Sequence, residues 1–152
     1  MTTATVIFNG IRFPFYLMDR AISWSKEKNA DLQAIFLQAS NQEREDYAFP
    51  SDIDGAEKLT DEKDAEQGNE MIISRYIKLI KDMCDTEGLN CHIERLKDSS
   101  LDEVLEKLKN TDRIFLDEAE DENPSPLANN NFMMKDLFEA TSSKTEFVRD
   151  RK

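Results

Sequence analysis

The sequence predicts an α/β domain: a five-stranded parallel sheet in a three-layer sandwich, with helices on both faces. Three observations predict it. Short runs rich in β-branched and aromatic residues alternate with stretches whose apolar residues recur every three or four positions. Strict strand–helix alternation makes successive strands parallel, because the crossovers are right-handed. A length of 152 residues suits one domain of this kind. Residues 1–152 are therefore expected to form a single domain, with an acidic flexible excursion at about 41–70.

The elements follow in order. Thr5-Val6-Ile7-Phe8 is a strand buried on both faces, ended by the turn signal Asn9-Gly10. Pro14 suits a helix first turn, and Phe15, Met18, Ala21, Ile22 and Ser25 form one helical stripe. Lys26, Lys28 and Asn29 suit that helix's C-terminal end. Leu32 to Leu37 is the second strand. Between Asn41 and Glu70 the pattern breaks down: eleven acids stand against three bases, with Pro50, Gly55 and Gly68. This stretch reads as an exposed excursion, helical at most from Asp61 to Glu66. Ile72, Ile73, Tyr76, Ile77, Ile80, Met83 and Cys84 mark an amphipathic helix, and Gly88 stands where its end wants a left-handed residue.

Asn90 to Leu96 alternates, with Cys91 and Ile93 on one face and His92 and Glu94 on the other, as in a half-exposed strand. Ser100-Leu101-Asp102-Glu103 is a capping box, and Leu101, Val104, Leu105 and Leu108 then face the core. Arg113 to Leu116 is the fourth strand. Phe132, Met133, Leu137 and Phe138 outline a last helix, and Thr145 to Arg149 a fifth strand.

Charge narrows the partners. A net charge of -12 repels phosphates, so neither nucleic acid nor an anionic membrane is expected. No basic segment precedes a long apolar one at the N-terminus, and no segment reaches the ~20 apolar residues that span a bilayer. The expected location is cytoplasmic. Cys84 and Cys91 form no C-x-x-C pair and read as two buried thiols in a reducing compartment.

Ligands of parallel sheets bind at the carboxyl ends of the strands, where the strand order reverses. That places the candidate site at Asn9, Gly10, Gln38 and the loop that starts at Asp117. A phosphate cradle wants glycines, which let backbone N–H groups come close to an anion. No glycine lies between Asp117 and Asn131, and Asp117, Glu118, Glu120, Asp121 and Glu122 crowd the loop. One carboxylate at 4 Å from a phosphate charge costs roughly 4 kcal/mol in a surface-like dielectric. The loop lacks the ligand pattern of an EF-hand, so it reads as a solvated acidic loop and no metal is expected. His92, the only histidine, lies mid-strand with no nucleophile beside it, so no enzyme activity is expected. Phe13, Phe15, Tyr16 and Trp24 are spaced for packing rather than for stacking bases.

Over nearly its whole length, apart from the 41–70 stretch, the chain resembles the universal stress protein family. Val6-Ile7-Phe8-Asn9-Gly10 with Arg20-Ala21-Ile22-Ser23-Trp24 is similar to that family's opening strand and helix. Asn29-Ala30-Asp31-Leu32-Gln33-Ala34-Ile35 is similar to its approach to strand two, and Thr111-Asp112-Arg113-Ile114-Phe115-Leu116 to its strand four. The tail from Ala140 to Arg149 is similar to its closing strand. The resemblance implies strand order 3-2-1-4-5, the topology of the adenine nucleotide alpha hydrolases, and a regulatory or binding role in a stress response. It also implies a homodimer through the C-terminal edge strand, with Thr145, Phe147, Val148 and Arg149 at the interface. In ATP-binding members a G-x-x-G pair, followed by Gly-Ser or Gly-Thr, holds the phosphates, and an acidic residue follows strand one. Here those glycines are missing and Asn9 replaces the acid. The expectation is a protein that binds no ATP, needs no cofactor and acts through an unknown protein partner. The alternative is an atypical small-molecule or adenine-nucleotide binder, with Asn9, Gly10, Gln38 and Asp117 around the ligand.

Overall fold

The structure, a computed structural model, describes residues 2–39, 53–125 and 127–149, with the backbone alone for 53–69. Nine elements alternate: β1 (Thr3–Asn9), α1 (Phe15–Lys28), β2 (Asp31–Gln38), α2 (Ile53–Thr86), β3 (Cys91–Lys97), α3 (Leu101–Lys107), β4 (Arg113–Asp117), α4 (Met134–Ala140) and β5 (Thr145–Val148). A short 3₁₀ turn over Ser142–Lys144 leads into β5. The strands form one parallel sheet in the order β3-β2-β1-β4-β5, as expected.

Alternation along the strands divides the core into two layers. Ala4, Val6 and Phe8 of β1 and Leu32, Ala34 and Phe36 of β2 pack with Leu17, Met18, Ala21 and Ile22 of α1 and Ile73, Ile80 and Cys84 of α2. Ile7, Ile35, Leu37, Ile114 and Leu116 point the other way, onto Val104, Leu108, Met134 and Leu137 of α3, α4 and their flanks. In β5, Phe147 joins the second layer and Val148 the first, so the edge strand is anchored on both faces.

Local chemistry sets the helix ends. Asn29 takes a left-handed conformation after α1 (φ 54°) and its N–H reaches the Lys26 carbonyl. Gly88 does the same after α2 (φ 70°), where the Leu89 N–H returns to the Cys84 carbonyl at 2.8 Å. The Ser100 hydroxyl accepts the Glu103 N–H at 3.2 Å and completes the expected capping box.

Three expectations need correction. The buried stripe of α1 is Leu17, Met18, Ala21, Ile22 and Ser25. Phe15, expected in it, is 57% exposed, because the helix starts at that residue and its ring only edges against Phe13. Met133, expected on the inner face of the last helix, is its N-cap and is 43% exposed, while Met134 is buried in its place. The acidic stretch is helical over more of its length than Asp61 to Glu66. Its first part, 41–52, lies outside the described residues, but helix α2 starts at Ile53 and runs 34 residues to Thr86. Gly55 and Gly68 each cost about 1 kcal/mol in a helix. Ala56, Glu57, Lys58, Leu59, Glu62, Lys63, Ala65, Glu66 and Gln67 are helix formers, and no proline interrupts them.

Candidate functional site

Strand order reverses between β1 and β4, and there the sheet opens. The two strands pair over Ala4–Val6 and Arg113–Phe115 and then part. Asn9 and Asp117, the last residues of the two strands, stand on either side of the gap, with Arg12, Pro14, Leu17, Glu120 and Met134 around them. The switch-point geometry expected from the sequence is therefore present. The gap itself has essentially no room for a water molecule.

What closes it is the chain that follows β4. Residues 118–125 and 127–133 run as a strap across the carboxyl ends of the sheet and bond to the neighbouring strands in turn. The Glu118 N–H donates to the Val148 carbonyl of β5 at 2.9 Å. The Ser125 hydroxyl donates to the Asn9 carbonyl of β1. The Ala39 N–H, just past β2, donates to Leu127 at 2.8 Å. Asn129 and Asn131 donate their side-chain amides to the Ser99 carbonyl past β3, at 2.9 and 3.1 Å. Asn9 locks the middle of the strap: its Oδ1 accepts the Asn129 N–H at 2.7 Å and its Nδ2 donates to the Asn129 carbonyl at 3.4 Å.

Asp117, Glu120 and Asp121 are structural, which corrects the expectation of a solvated loop for three of its five carboxylates. Asp117 is 5% exposed and Glu120 4%. Each finds a donor, which is the condition for burying a carboxylate. The Tyr16 hydroxyl donates to Asp117 Oδ1 at 2.5 Å, and the Ser125 N–H donates to Glu120 Oε1 at 2.9 Å. Arg12 Nη1 stands 3.9 Å from Glu120 Oε2 and also donates to the Asn123 carbonyl at 2.6 Å. Asp121 reaches the start of α4, where its two oxygens accept the N–H groups of Met134 and Lys135 at 2.7 and 2.9 Å. Those are the backbone donors that a helix start offers an anion. Here a side chain of the same polypeptide holds them. Burial pushes the Glu120 carboxyl above its ordinary value, against the pull of Ser125 and Arg12, and the Asp117 charge adds to the push.

The other residues expected around a ligand are also engaged. The Gly10 N–H donates to the Leu37 carbonyl at 2.7 Å, with φ 86° that suits glycine. Gln38 is buried and its Oε1 accepts from Arg95 at 3.0 Å. Asp117 Oδ2 is among the buried side-chain atoms that have no hydrogen-bond partner. The structure brings Asn9, Gly10 and Asp117 to one end of β1 and β4, and Gln38 to the end of neighbouring β2. Sequence reasoning missed Arg12, Ser125 and Asn129, and read Tyr16 as a packing residue and Glu120 as a solvated carboxylate. A signal existed for Ser125: it sits between Pro124 and Pro126, which mark a stiff crossing segment. His92 is exposed beside Glu94 at 3.2 Å, in keeping with its reading as a surface residue.

Among the described residues no cluster of His, Cys, Asp and Glu is arranged to hold a metal ion, and no helix is long and apolar enough to cross a membrane. No protein-family model matches the sequence, and no curated protein matches it. Solved structures do match. A universal stress protein family member from Burkholderia pseudomallei superposes with a TM-score of 0.61 at 10% identity, over 97% of this chain and 95% of that one. The fold is that of the universal stress proteins. A universal stress protein family member from Arabidopsis thaliana with AMP bound gives 0.59 at 14% identity, over 99% and 93% of the two chains. A universal stress protein in complex with cAMP gives 0.51 at 15% identity, over 97% and 96%. The strand order of that fold is the one the resemblance implied.

Proposed function

We propose that this protein is a universal-stress-like binding or regulatory protein that does not use ATP and acts through protein contacts. The observation that carries this reading is the strap. The corner where the fold would present backbone donors to a polyphosphate is filled by Asp121 on the α4 amides and by Asn129 on Asn9. A triphosphate would have to displace those bonds and then sit among buried carboxylates. The working form in this reading is a cytoplasmic homodimer, joined through the outer edge of β5 at Thr145, Phe147, Val148 and Arg149. That edge has no strand on its outer side among the described residues.

A second reading rests on the AMP and cAMP held by two of the similar structures. A nucleoside monophosphate demands less of a phosphate cradle than ATP, and Asp117 Oδ2 has a free acceptor for a ribose hydroxyl or a base amine. Thermal unfolding with ATP, AMP or cAMP separates the two. A ligand at 100 times its Kd stabilises by about 2.7 kcal/mol. The first reading expects no ligand-specific rise in midpoint. A rise with AMP alone transfers the assignment to the second, and a rise with ATP overturns the first. Nucleotide released from the natively purified, then denatured, protein would count the same way.

A further inference from the structure

The two cysteines were expected to be a pair of inert buried thiols. The fold buries Cys84 as expected but leaves Cys91 partly exposed. Cys84 lies fully buried in the last turns of α2. The chain turns at Gly88, where the Leu89 N–H bonds back to the Cys84 carbonyl, and β3 then begins with Cys91. Cys91 packs against the apolar cluster that contains Cys84, and each thiol perturbs the other. Cys91 is partly exposed, at the start of the sheet's other edge strand. The pair thus has an outer sulfur that solvent can reach and an inner sulfur that is buried.

The electrostatics give the two sulfurs different roles. A hydrogen bond with Cys84 draws the Cys91 thiol below its ordinary value and Lys81 adds to that pull, while burial and Asp85 oppose it. Cys84 moves the opposite way, raised first by the same bond and then by burial. Cys84 is fully buried and Cys91 partly exposed, so a dissolved oxidant meets Cys91 first and Cys84 is the sulfur that follows.

We propose that Cys91 and Cys84 form a thiol pair oxidised by small hydroperoxides, with Cys91 reacting first and Cys84 closing an intramolecular disulfide. The Cys91 thiolate attacks one peroxide oxygen and the O–O bond breaks. Cys91 becomes a sulfenic acid, and the other oxygen leaves as alkoxide or hydroxide and takes a proton from solvent. Cys84 sulfur then attacks Cys91 sulfur. The S–O bond breaks, the S–S bond forms, and the departing hydroxide takes the Cys84 proton and leaves as water. Two thiols supply the two electrons that reduce one peroxide. The bond would tie the last turns of α2 to the first residue of β3, next to the Gly88 turn.

The test treats the reduced full-length chain with hydrogen peroxide and then alkylates the remaining thiols. The expected result is loss of both alkylatable thiols in the monomer, a mass decrease of two hydrogen atoms, and full recovery with a dithiol reductant. In Cys84→Ala, Cys91 should be caught as a sulfenic acid by a 1,3-dione reagent. In Cys91→Ser, Cys84 should stay reduced over the same exposure. Both thiols remaining alkylatable in the wild type, cross-links forming only between chains, or Cys84 reacting in Cys91→Ser would each overturn the proposal. The wild-type measurement stands without either variant.

Discussion

Asn9 is the residue on which the switch point turns. Its amide both accepts from and donates to Asn129, so one side chain satisfies a buried stretch of strap backbone. Asn9→Ala leaves that N–H and carbonyl unpaired, and such losses cost about 1–3 kcal/mol each when buried. The expected outcome is a clear fall in the urea midpoint with the m-value unchanged. Glu120 behaves differently. Its carboxyl lies above its ordinary value, so the folded state holds that proton more tightly than the unfolded chain does. The strain of keeping it ionised is fully present above the folded value, and it is relieved as the pH falls toward the unfolded one. Glu120→Gln keeps an acceptor for Ser125 and removes the buried charge, at the loss of Arg12. The pH dependence separates these effects. Between pH 7 and about 4.3, the wild type should gain stability relative to Glu120→Gln, read by denaturation at each pH. None of this was legible in the sequence. A carboxylate-rich loop looks solvated, and only the fold brings Tyr16, Arg12 and Ser125 to it from separate segments.

At the scale of elements, β5 is held by more than its ladder with β4. Glu146 accepts from Arg20 of α1 at 2.7 Å and from Arg113 of β4 at 2.7 Å, and Arg20 lies over the Phe115 ring. These bonds, Arg20 first, hold the Glu146 carboxyl below its ordinary range although burial opposes them. The cluster's stabilisation is therefore present above the unfolded carboxylate value and is lost as the pH falls through the folded one. Glu146→Gln should cost about 1–2 kcal/mol at neutral pH, after allowance for partial exposure. That difference should shrink below about pH 4 in the same denaturation series. Elements with strong periodicity or caps, such as β1, β2 and the Ser100 capping box, could be read directly from the chain. The start of α2 could not, because its charge run and two glycines looked like a loop while its helix formers carried no apolar stripe to reveal them. The start of α4 was misplaced for a related reason. Asp121, thirteen residues before Met134, caps it, and no local pattern announces so distant a cap.

For the molecule as a whole, the parallel sheet followed from alternation and its strand order from the family resemblance, whereas the closing of the switch point depended on long-range bonds. The dimer belongs to this scale. Val148 is buried in the first core layer, so a charge there would unfold the chain rather than separate two copies. Arg149 is exposed and its side chain pairs with Glu118 of the same chain. Arg149→Pro removes a backbone donor beside the free edge. In sedimentation, the wild type should run as a dimer and Arg149→Pro should dissociate at least about tenfold more readily, a difference of about 1.4 kcal/mol. A monomeric wild type would remove the edge-pairing proposal. The strap's carboxylates and amides occupy the groups that a polyphosphate would need. Calorimetric titration of ATP with Mg²⁺ into the reduced, nucleotide-free protein tests it most directly. The expected result is no saturable heat up to a Kd of about 1 mM. Saturable binding of one ATP per chain at a Kd of about 10 µM or tighter would contradict it.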